Sequence, residues 1–243
     1  SGVRPSKVSG SSAGALAAAA YASGLEGNDL KSFILDPRLQ GAFHEWSAVF
    51  RAVAVLICYR GSGLLTGKKV IKHLEKMLPV GRIEDCNKAE LSIGVTSLTN
   101  NGKRLVVEGD LAAYVVASCA ITPIIKAQNI AGEYLIDGGF TDEAPFEHWV
   151  DDAGVDTILV HRIIPDVNQV KPKVRWSNYL SAWIDAHEMT ADELMDRRVE
   201  KARSMGKKVV VHDTMVTPPK MMVSRRQALE NYNAGYAQWT DLQ

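Results

Sequence analysis

The hydrophobic positions of this chain repeat with the period of a strand in some segments and with that of a helix in others. Short apolar, β-branched runs predict strands at 91–98, 104–107, 133–136, 156–160 and 208–212, after a short extended piece at 3–9. Helices are predicted at 15–22, 42–58, 67–78, 111–120 and over most of the C-terminal third. Strands that alternate with helices indicate an α/β layered fold, here with a central, mostly parallel sheet flanked by helices.

Local turn and capping signals mark several ends of these elements. The Asn-Asn-Gly run at 100–102 predicts a turn between the strands on either side of it. Asp110 is placed to cap the helix at 111–120. The sequences at 190–193 and 224–227 both match the capping-box pattern, which predicts that a helix begins at each of them.

Length and composition are those of an ordinary globular protein. The 243 residues are 46% hydrophobic and 23% charged, which predicts one sizeable core and a single domain over 1–243. The 28 basic side chains balance the 28 acidic ones, so no nucleic-acid partner is expected. No apolar run approaches the ~18 residues that cross a bilayer, so any membrane contact is expected to be transient and at the surface.

The cysteines and histidines give no sign of a disulfide or a metal site. Cys58, Cys86 and Cys119 are scattered and form no C-x-x-C pair. They are predicted to be free thiols in a reducing compartment, which indicates a cytoplasmic protein. No group of histidines and carboxylates has a ligand spacing such as H-E-x-x-H, so neither a metal nor a cofactor is expected.

The run from Gly10 to Gly14 matches G-x-S-x-G, with Ser12 at its centre. A nucleophilic serine gains access on a sharp strand-to-helix turn, where crowding favours glycine on either side. The N-terminus of the following helix favours negative charge, and the N–H of Ala13 would donate to an oxyanion. The alternative is a tight glycine turn in which Ser12 merely caps the helix.

A second motif, Asp137-Gly138-Gly139, follows the apolar strand predicted at 133–136. Its two glycines let the backbone turn sharply and let another segment approach the Asp137 carboxylate closely. The alternative is a plain turn after a strand, for which Asp-Gly is a common choice.

These two motifs, in this order, resemble those of the patatin-like phospholipases. The segments at 8–16, 117–123 and 137–145 resemble the family's nucleophile segment, its "ASCAIP"-like stretch and its aspartate loop, and 233–236 looks like its closing helix. The resemblance is clear over residues 1 to 165 and looser beyond. It implies a three-layer α/β/α fold.

The resemblance also implies a function, that of a lipid acyl hydrolase of phospholipase A or lysophospholipase type. Such an enzyme uses a Ser-Asp dyad without a metal, and Ser12 and Asp137 are the matching positions. Asp137 would accept the Ser12 proton, and Ser12 would attack the ester carbonyl to form an acyl-enzyme that water then hydrolyses.

One part of the family pattern is not found. The family usually opens with a strand and a G-G-G-x-R/K-G loop that supplies most of the oxyanion hole, whereas residues 2–5 resemble the turn just before the nucleophile strand. The domain is therefore expected to lack that strand and loop. Either they lie upstream in the native protein, which we favour, or the chain is a relative with impaired catalysis.

Several alternatives stay open on the sequence alone. The order Ser…Asp…His also suits a triad, with His161 at the end of the strand at 156–160. The apolar stripe at 42–58 faces either the core or lipid, and the basic segment at 197–208 is expected to form a salt-bridged solvent face. The substrates are lipids or phospholipids, with other lipid or small esters as an alternative. A catalytically impaired relative that only binds lipid is the alternative from another class.

Overall fold

The computed structural model describes residues 4–41, 61–165, 179–217 and 225–240. Contacts between Cα atoms divide the chain into two compact units, one from Arg4 to Pro145 and the other from Phe146 onward. The single domain over 1–243 stays a prediction. The apolar segment at 42–58, with Cys58, lies outside the described residues.

The first unit is built on one sheet, whose strands are β1 (Lys7–Ser11), β2 (Glu90–Ser97), β3 (Gly102–Val106), β4 (Gln128–Ile130) and β5 (Glu133–Asp137). Hydrogen bonds connect β1, β2, β5 and β4 in that succession, and β3 also pairs with β2. The buried side chains of β2, Ile93 and Val95 among them, show that this strand runs through the core.

Strand directions in this sheet are more mixed than the mostly parallel arrangement that the sequence predicts. β1 pairs with β2 in parallel, whereas the pairs β2–β3, β2–β5 and β4–β5 are antiparallel. For β2–β3 and β4–β5 the reason is the length of the connections, because 98–101 and 131–132 are too short for a parallel crossover. The α/β architecture itself is confirmed.

Among the described residues, the same unit contains the helices α1 (Ala13–Ala22), α2 (Gly27–Ile34), α3 (Pro37–Gly41), α4 (Lys68–Met77) and α5 (Leu111–Ser118). The inner face of α1 is almost entirely alanine, and these small side chains let the helix approach β2 and α5 closely. Leu74 of α4 and Leu111 of α5 are fully buried in the same core. The core therefore lies between these helices and the sheet that carries the two motifs.

The predicted element ends are partly confirmed. The Asp110 carboxylate accepts a hydrogen bond from the N–H of Ala113 at 2.7 Å, so the predicted cap of α5 is correct. The predicted turn at 100–102 contains Asn101 with φ 52°, and it joins β2 to β3 as expected.

The second unit contains β6 (Thr157–Pro165), β7 (Lys208–Val216), α6 (Tyr179–Ser204) and α7 (Arg225–Thr240). The two strands pair in parallel, and Met195, Val199 and Ala202 of α6 are buried with their apolar side chains. The expected salt bridges of the basic segment include Arg197 with Glu193 at 2.5 Å.

The two capping boxes of this unit have different outcomes. Helix α7 is described from Arg225 onward, and the residues just before it lie outside the described ranges, so the helix start at 224–227 stays a prediction. The helix start predicted at 190–193 is wrong, because α6 begins at Tyr179 and passes through these residues. The pattern tests only four neighbouring residues, and Ala191 and Glu193 are also good residues for a helix interior.

Replacing Asp110 by alanine is expected to lower the free energy of unfolding by about 1 kcal/mol, because the N–H of Ala113 loses its acceptor. Urea denaturation followed by circular dichroism measures this loss. Asp110→Asn keeps a side-chain oxygen and is expected to lie close to the wild type. Equal losses in both variants would assign the stability to the negative charge and contradict the role given to the hydrogen bond.

Candidate active site

Ser12 lies in the sharp turn between β1 and α1. Its backbone has φ 53° and ψ −124°, and the N–H groups of Ala15 and Leu16 already donate to its carbonyl oxygen at 3.0 and 3.2 Å. A residue other than glycine in this region costs about 1–3 kcal/mol, which the surrounding structure must offset. The strained strand-to-helix turn predicted from G-x-S-x-G is therefore present.

The side chain of Ser12 does not act as a helix cap. Within the described part of the chain, its hydroxyl makes no capping hydrogen bond to α1, and the residue is half-buried. The alternative in which Ser12 merely caps the helix is therefore wrong. Ala13 follows as the exposed first residue of α1. The first N–H groups of a helix have no acceptor within the helix. Its role as an oxyanion donor stays a prediction.

The two glycines that flank Ser12 differ in their surroundings. A Cβ added to Gly10 would lie 2.3 Å from the carbonyl carbon of Gly14, so no side chain fits there. Apart from its chain neighbours and the backbone of its own helix, a Cβ added to Gly14 would meet no described atom within 4 Å. The crowding predicted on both sides of Ser12 therefore holds for Gly10 and is wrong for Gly14, where a Cβ would lie in open space.

Asp137 ends β5 and is only 4% exposed. Its Oδ1 accepts a hydrogen bond from the N–H of Gly139 at 2.8 Å. A Cβ added to Gly138 would lie 2.3 Å from the carbonyl oxygen of Gly94, so the chain after Asp137 passes directly over β2. Gly138 thus lets the chain after Asp137 approach β2 closely, as the Asp-Gly-Gly motif predicts.

The pairing registers bring Ser12 and Asp137 to the same place on β2. Ser11 pairs with Gly94 and Asp137 pairs with Val95, which are consecutive residues about 3.3 Å apart along the strand. Because β3 occupies one edge of β2 over 93–97, β1 and β5 share the opposite edge, one after the other. Their carboxyl ends therefore meet head to head.

A three-residue segment at the C-terminal end of helix α5 contacts both candidate residues. The N–H of Ser12 donates to the Ser118 hydroxyl at 2.9 Å, and the Cys119 thiol donates to the Ser12 carbonyl oxygen at 3.2 Å. The carbonyl oxygen of the next residue, Ala120, accepts the N–H of Asp137 at 3.1 Å. We name residues 118–120 the bracket, because they hold the backbones of Ser12 and Asp137 on one short piece of chain.

The Cys119 thiol shows that the Asp137 carboxylate is close. Burial and, to a smaller extent, the negative charge of Asp137 together raise the pKa of Cys119 to about 12. The thiol therefore stays neutral at physiological pH and keeps its proton for the Ser12 carbonyl. Cys119 and Cys86 are both free thiols, as predicted.

A comparison with protein families gives a match over this part of the chain. A family model described as patatin-like phospholipase matches residues 1–149, more than half of the chain, and includes Ser12, Asp137 and the bracket. The chain belongs to the patatin-like phospholipase family. The resemblance drawn from the two motifs is therefore confirmed. The family has a three-layer α/β/α fold and consists of hydrolases that act on lipid substrates.

In this patatin-like protein, two more serines hold the aspartate loop in place. The Ser11 hydroxyl donates to the carbonyl oxygen of Asp142 at 2.6 Å, and the Ser9 hydroxyl donates to that of Pro145 at 2.8 Å. Ser9, Ser11 and the bracket lie in segments that resemble those of the family, but the sequence alone predicts no role for any of them. Serines as close together as Ser9, Ser11 and Ser12 are too common in sequences to indicate such contacts.

His161, the candidate for a triad, has local partners in the second unit. Its Nε2 lies 2.8 Å from the Thr214 hydroxyl, and its ring packs against those of His212 and Trp239. Burial, and then the neighbouring His212, lower the pKa of His161. The predicted strand end is wrong, because β6 continues to Pro165 and His161 lies inside it.

Gly10→Ala and Gly14→Ala are expected to differ in stability. The methyl group at Gly10 would overlap backbone atoms of α1, so we expect the free energy of unfolding to fall by about 1–3 kcal/mol. Gly14→Ala fills open space in a helix and is expected to leave stability unchanged or raise it by up to about 1 kcal/mol. Chemical denaturation compares them, and equal losses would contradict the crowding assigned to Gly10 alone.

Proposed function

We propose that this chain hydrolyses carboxylic esters of lipids, as a phospholipase A or lysophospholipase, with Ser12 as nucleophile and Asp137 as base. The observation that carries the proposal is the head-to-head meeting of β1 and β5, together with the bracket that touches both residues. A serine turn and an Asp-Gly turn with unrelated roles would not be expected to contact the same three residues of the bracket. The family's action on lipids gives the substrate class.

The reaction would proceed in two steps. Asp137 accepts the proton of the Ser12 hydroxyl while Oγ attacks the ester carbonyl, and the N–H of Ala13 donates to the oxyanion. The carbon–oxygen bond to the alcohol then breaks, and the alcohol leaves with the proton from Asp137. Water gives one proton to the same carboxylate and attacks the acyl carbon. The bond from that carbon to Ser12 Oγ then breaks, Asp137 returns its proton to Oγ, and the fatty acid leaves.

The surroundings of the two residues suit this chemistry. A carboxylate that is largely removed from water, as Asp137 is, accepts a proton more readily than one in solvent. The neutral Cys119 thiol beside Ser12 is not a competing nucleophile, because the attacking species is the thiolate. These features favour an enzyme over a relative that only binds lipid.

An exposed apolar turn directly follows the bracket. Ile121 and Ile124 are 44% and 41% exposed, and Pro123 between them is exposed as well. The N–H of Ile124 donates to the carbonyl of Ile121, which closes the turn, and Ile121 is bonded to the residue that holds Asp137. This apolar turn favours lipid esters over small soluble ones. No helix among the described residues is long and apolar enough to span a membrane.

Ser12→Ala and Asp137→Ala are each expected to lower ester hydrolysis by at least about 10⁴-fold, because nucleophile and base act as one unit. A fluorogenic ester and a phosphatidylcholine vesicle assay measure the rates. His161→Ala is expected to keep wild-type rates, since it has no part in a dyad. A loss in His161→Ala as large as in Ser12→Ala would replace the dyad by a triad. Equal rates in all four proteins would mean that these residues do not catalyse the reaction.

Ile124→Ser is expected to slow hydrolysis of phospholipid vesicles by roughly tenfold, because burial of the side chain in lipid is lost. Hydrolysis of a soluble short-chain ester is expected to stay unchanged. Leu98→Ser, which alters a similarly exposed side chain after β2, is the matched control and should affect neither substrate. A vesicle rate that is the same in both variants would contradict the lipid contact proposed for the turn.

A further inference from the structure

We propose that Ser118 is a positioning residue that orients the nucleophile through the backbone of Ser12. The inference rests on the proposed function, because it assigns the orientation of Ser12 a role in ester hydrolysis. Ser118 itself would touch neither the substrate nor the reacting atoms, and it would transfer no proton.

The Ser118 hydroxyl makes two hydrogen bonds, and the direction of one sets the direction of the other. Its hydroxyl donates to the carbonyl oxygen of Gly94 at 2.6 Å and accepts from the N–H of Ser12 at 2.9 Å. A serine hydroxyl has a single proton, so donation to Gly94 leaves only lone pairs for Ser12. The hydroxyl is fully buried, so water does not compete for either bond. The Ser12 amide is therefore tied to one fixed point on β2.

Both peptide planes of Ser12 are held by the bracket. Ser118 binds the N–H on one side, and the Cys119 thiol binds the carbonyl oxygen on the other. The φ of 53° and ψ of −124° lie between these two planes, so the contacts fix the strained pair of angles from both ends. The second plane also carries the N–H of Ala13, the candidate oxyanion donor.

This geometry predicts how a defect at Ser118 would appear. Without the hydroxyl, the Ser12 N–H loses its acceptor while the Ser12 carbonyl stays held, so we expect the peptide before Ser12 to tilt and to shift Oγ and the Ala13 N–H from their places. A displacement of about 1 Å at reacting atoms costs on the order of 10²-fold in rate. Substrate binding by the apolar surroundings is unaffected, so the loss falls on kcat while KM stays nearly constant.

The test compares Ser118→Ala and Ser118→Cys with Ser23→Ala in the full chain. Ser23 is a buried serine of the same unit whose hydroxyl donates to the carbonyl of Ala20, at the far end of α1. Ser118→Cys keeps the shape of the side chain but makes a poor acceptor. Each protein is assayed for kcat and KM on a soluble ester, for Tm, and for hydrogen exchange of the Ser12 amide.

We expect both Ser118 variants to lose about 10²-fold in kcat with KM nearly unchanged, and to exchange the Ser12 amide much faster than the wild type. Ser23→Ala should keep wild-type kcat and exchange, whatever its Tm. A near-normal Ser118→Cys would show that Ser118 only fills space, and a protected Ser12 amide in both variants would overturn the proposal. If the wild type hydrolyses no ester, the proposed function is wrong. Hydrogen exchange of the Ser12 amide then still tests whether Ser118 orients Ser12.

Discussion

The hydrogen bond between the Ser12 N–H and the Ser118 hydroxyl joins the strand-to-helix turn at Ser12 to the centre of the sheet. The turn adopts a positive φ at a serine, which is unfavourable unless neighbouring contacts hold it. Those contacts come from a helix end 106 residues later in the chain and from the carbonyl of Gly94 on β2. The position of the half-buried Ser12 side chain is thus a property of the whole first unit, and not of the five-residue motif.

Close backbone approach makes this arrangement possible. Gly10 lets α1 fold back over β1, while Gly138 lets the chain after Asp137 pass over Gly94. A side chain at Gly94 would itself meet the Ser11 hydroxyl at 2.4 Å, so three segments meet where only glycine fits. The carboxyl ends of β1 and β5 can therefore share one edge of β2. The registers on β2 therefore bring the end of β1, next to Ser12, close to the end of β5 at Asp137.

Local patterns in the sequence predicted most elements and the two motifs, but not the contacts between them. Asp110, Ser12 and the Asp137 turn are short-range features, and each was placed from residues within a few positions of it. The role of Ser118 depends on partners at Gly94 and Ser12, which only the folded sheet brings near. The open space at Gly14 and the antiparallel pairing of β5 with β2 are likewise settled by tertiary packing.

The family match and the geometry together make Ser12 the centre of this account. The most direct test is reaction of the intact protein with a fluorophosphonate, followed by peptide mapping. A phosphonate reagent forms a stable bond only with a serine that is activated and accessible. We expect a single adduct on Ser12 that is lost in Asp137→Ala. An adduct on Ser11, Ser118 or another serine, or equal labelling of Ser12 without Asp137, would contradict it.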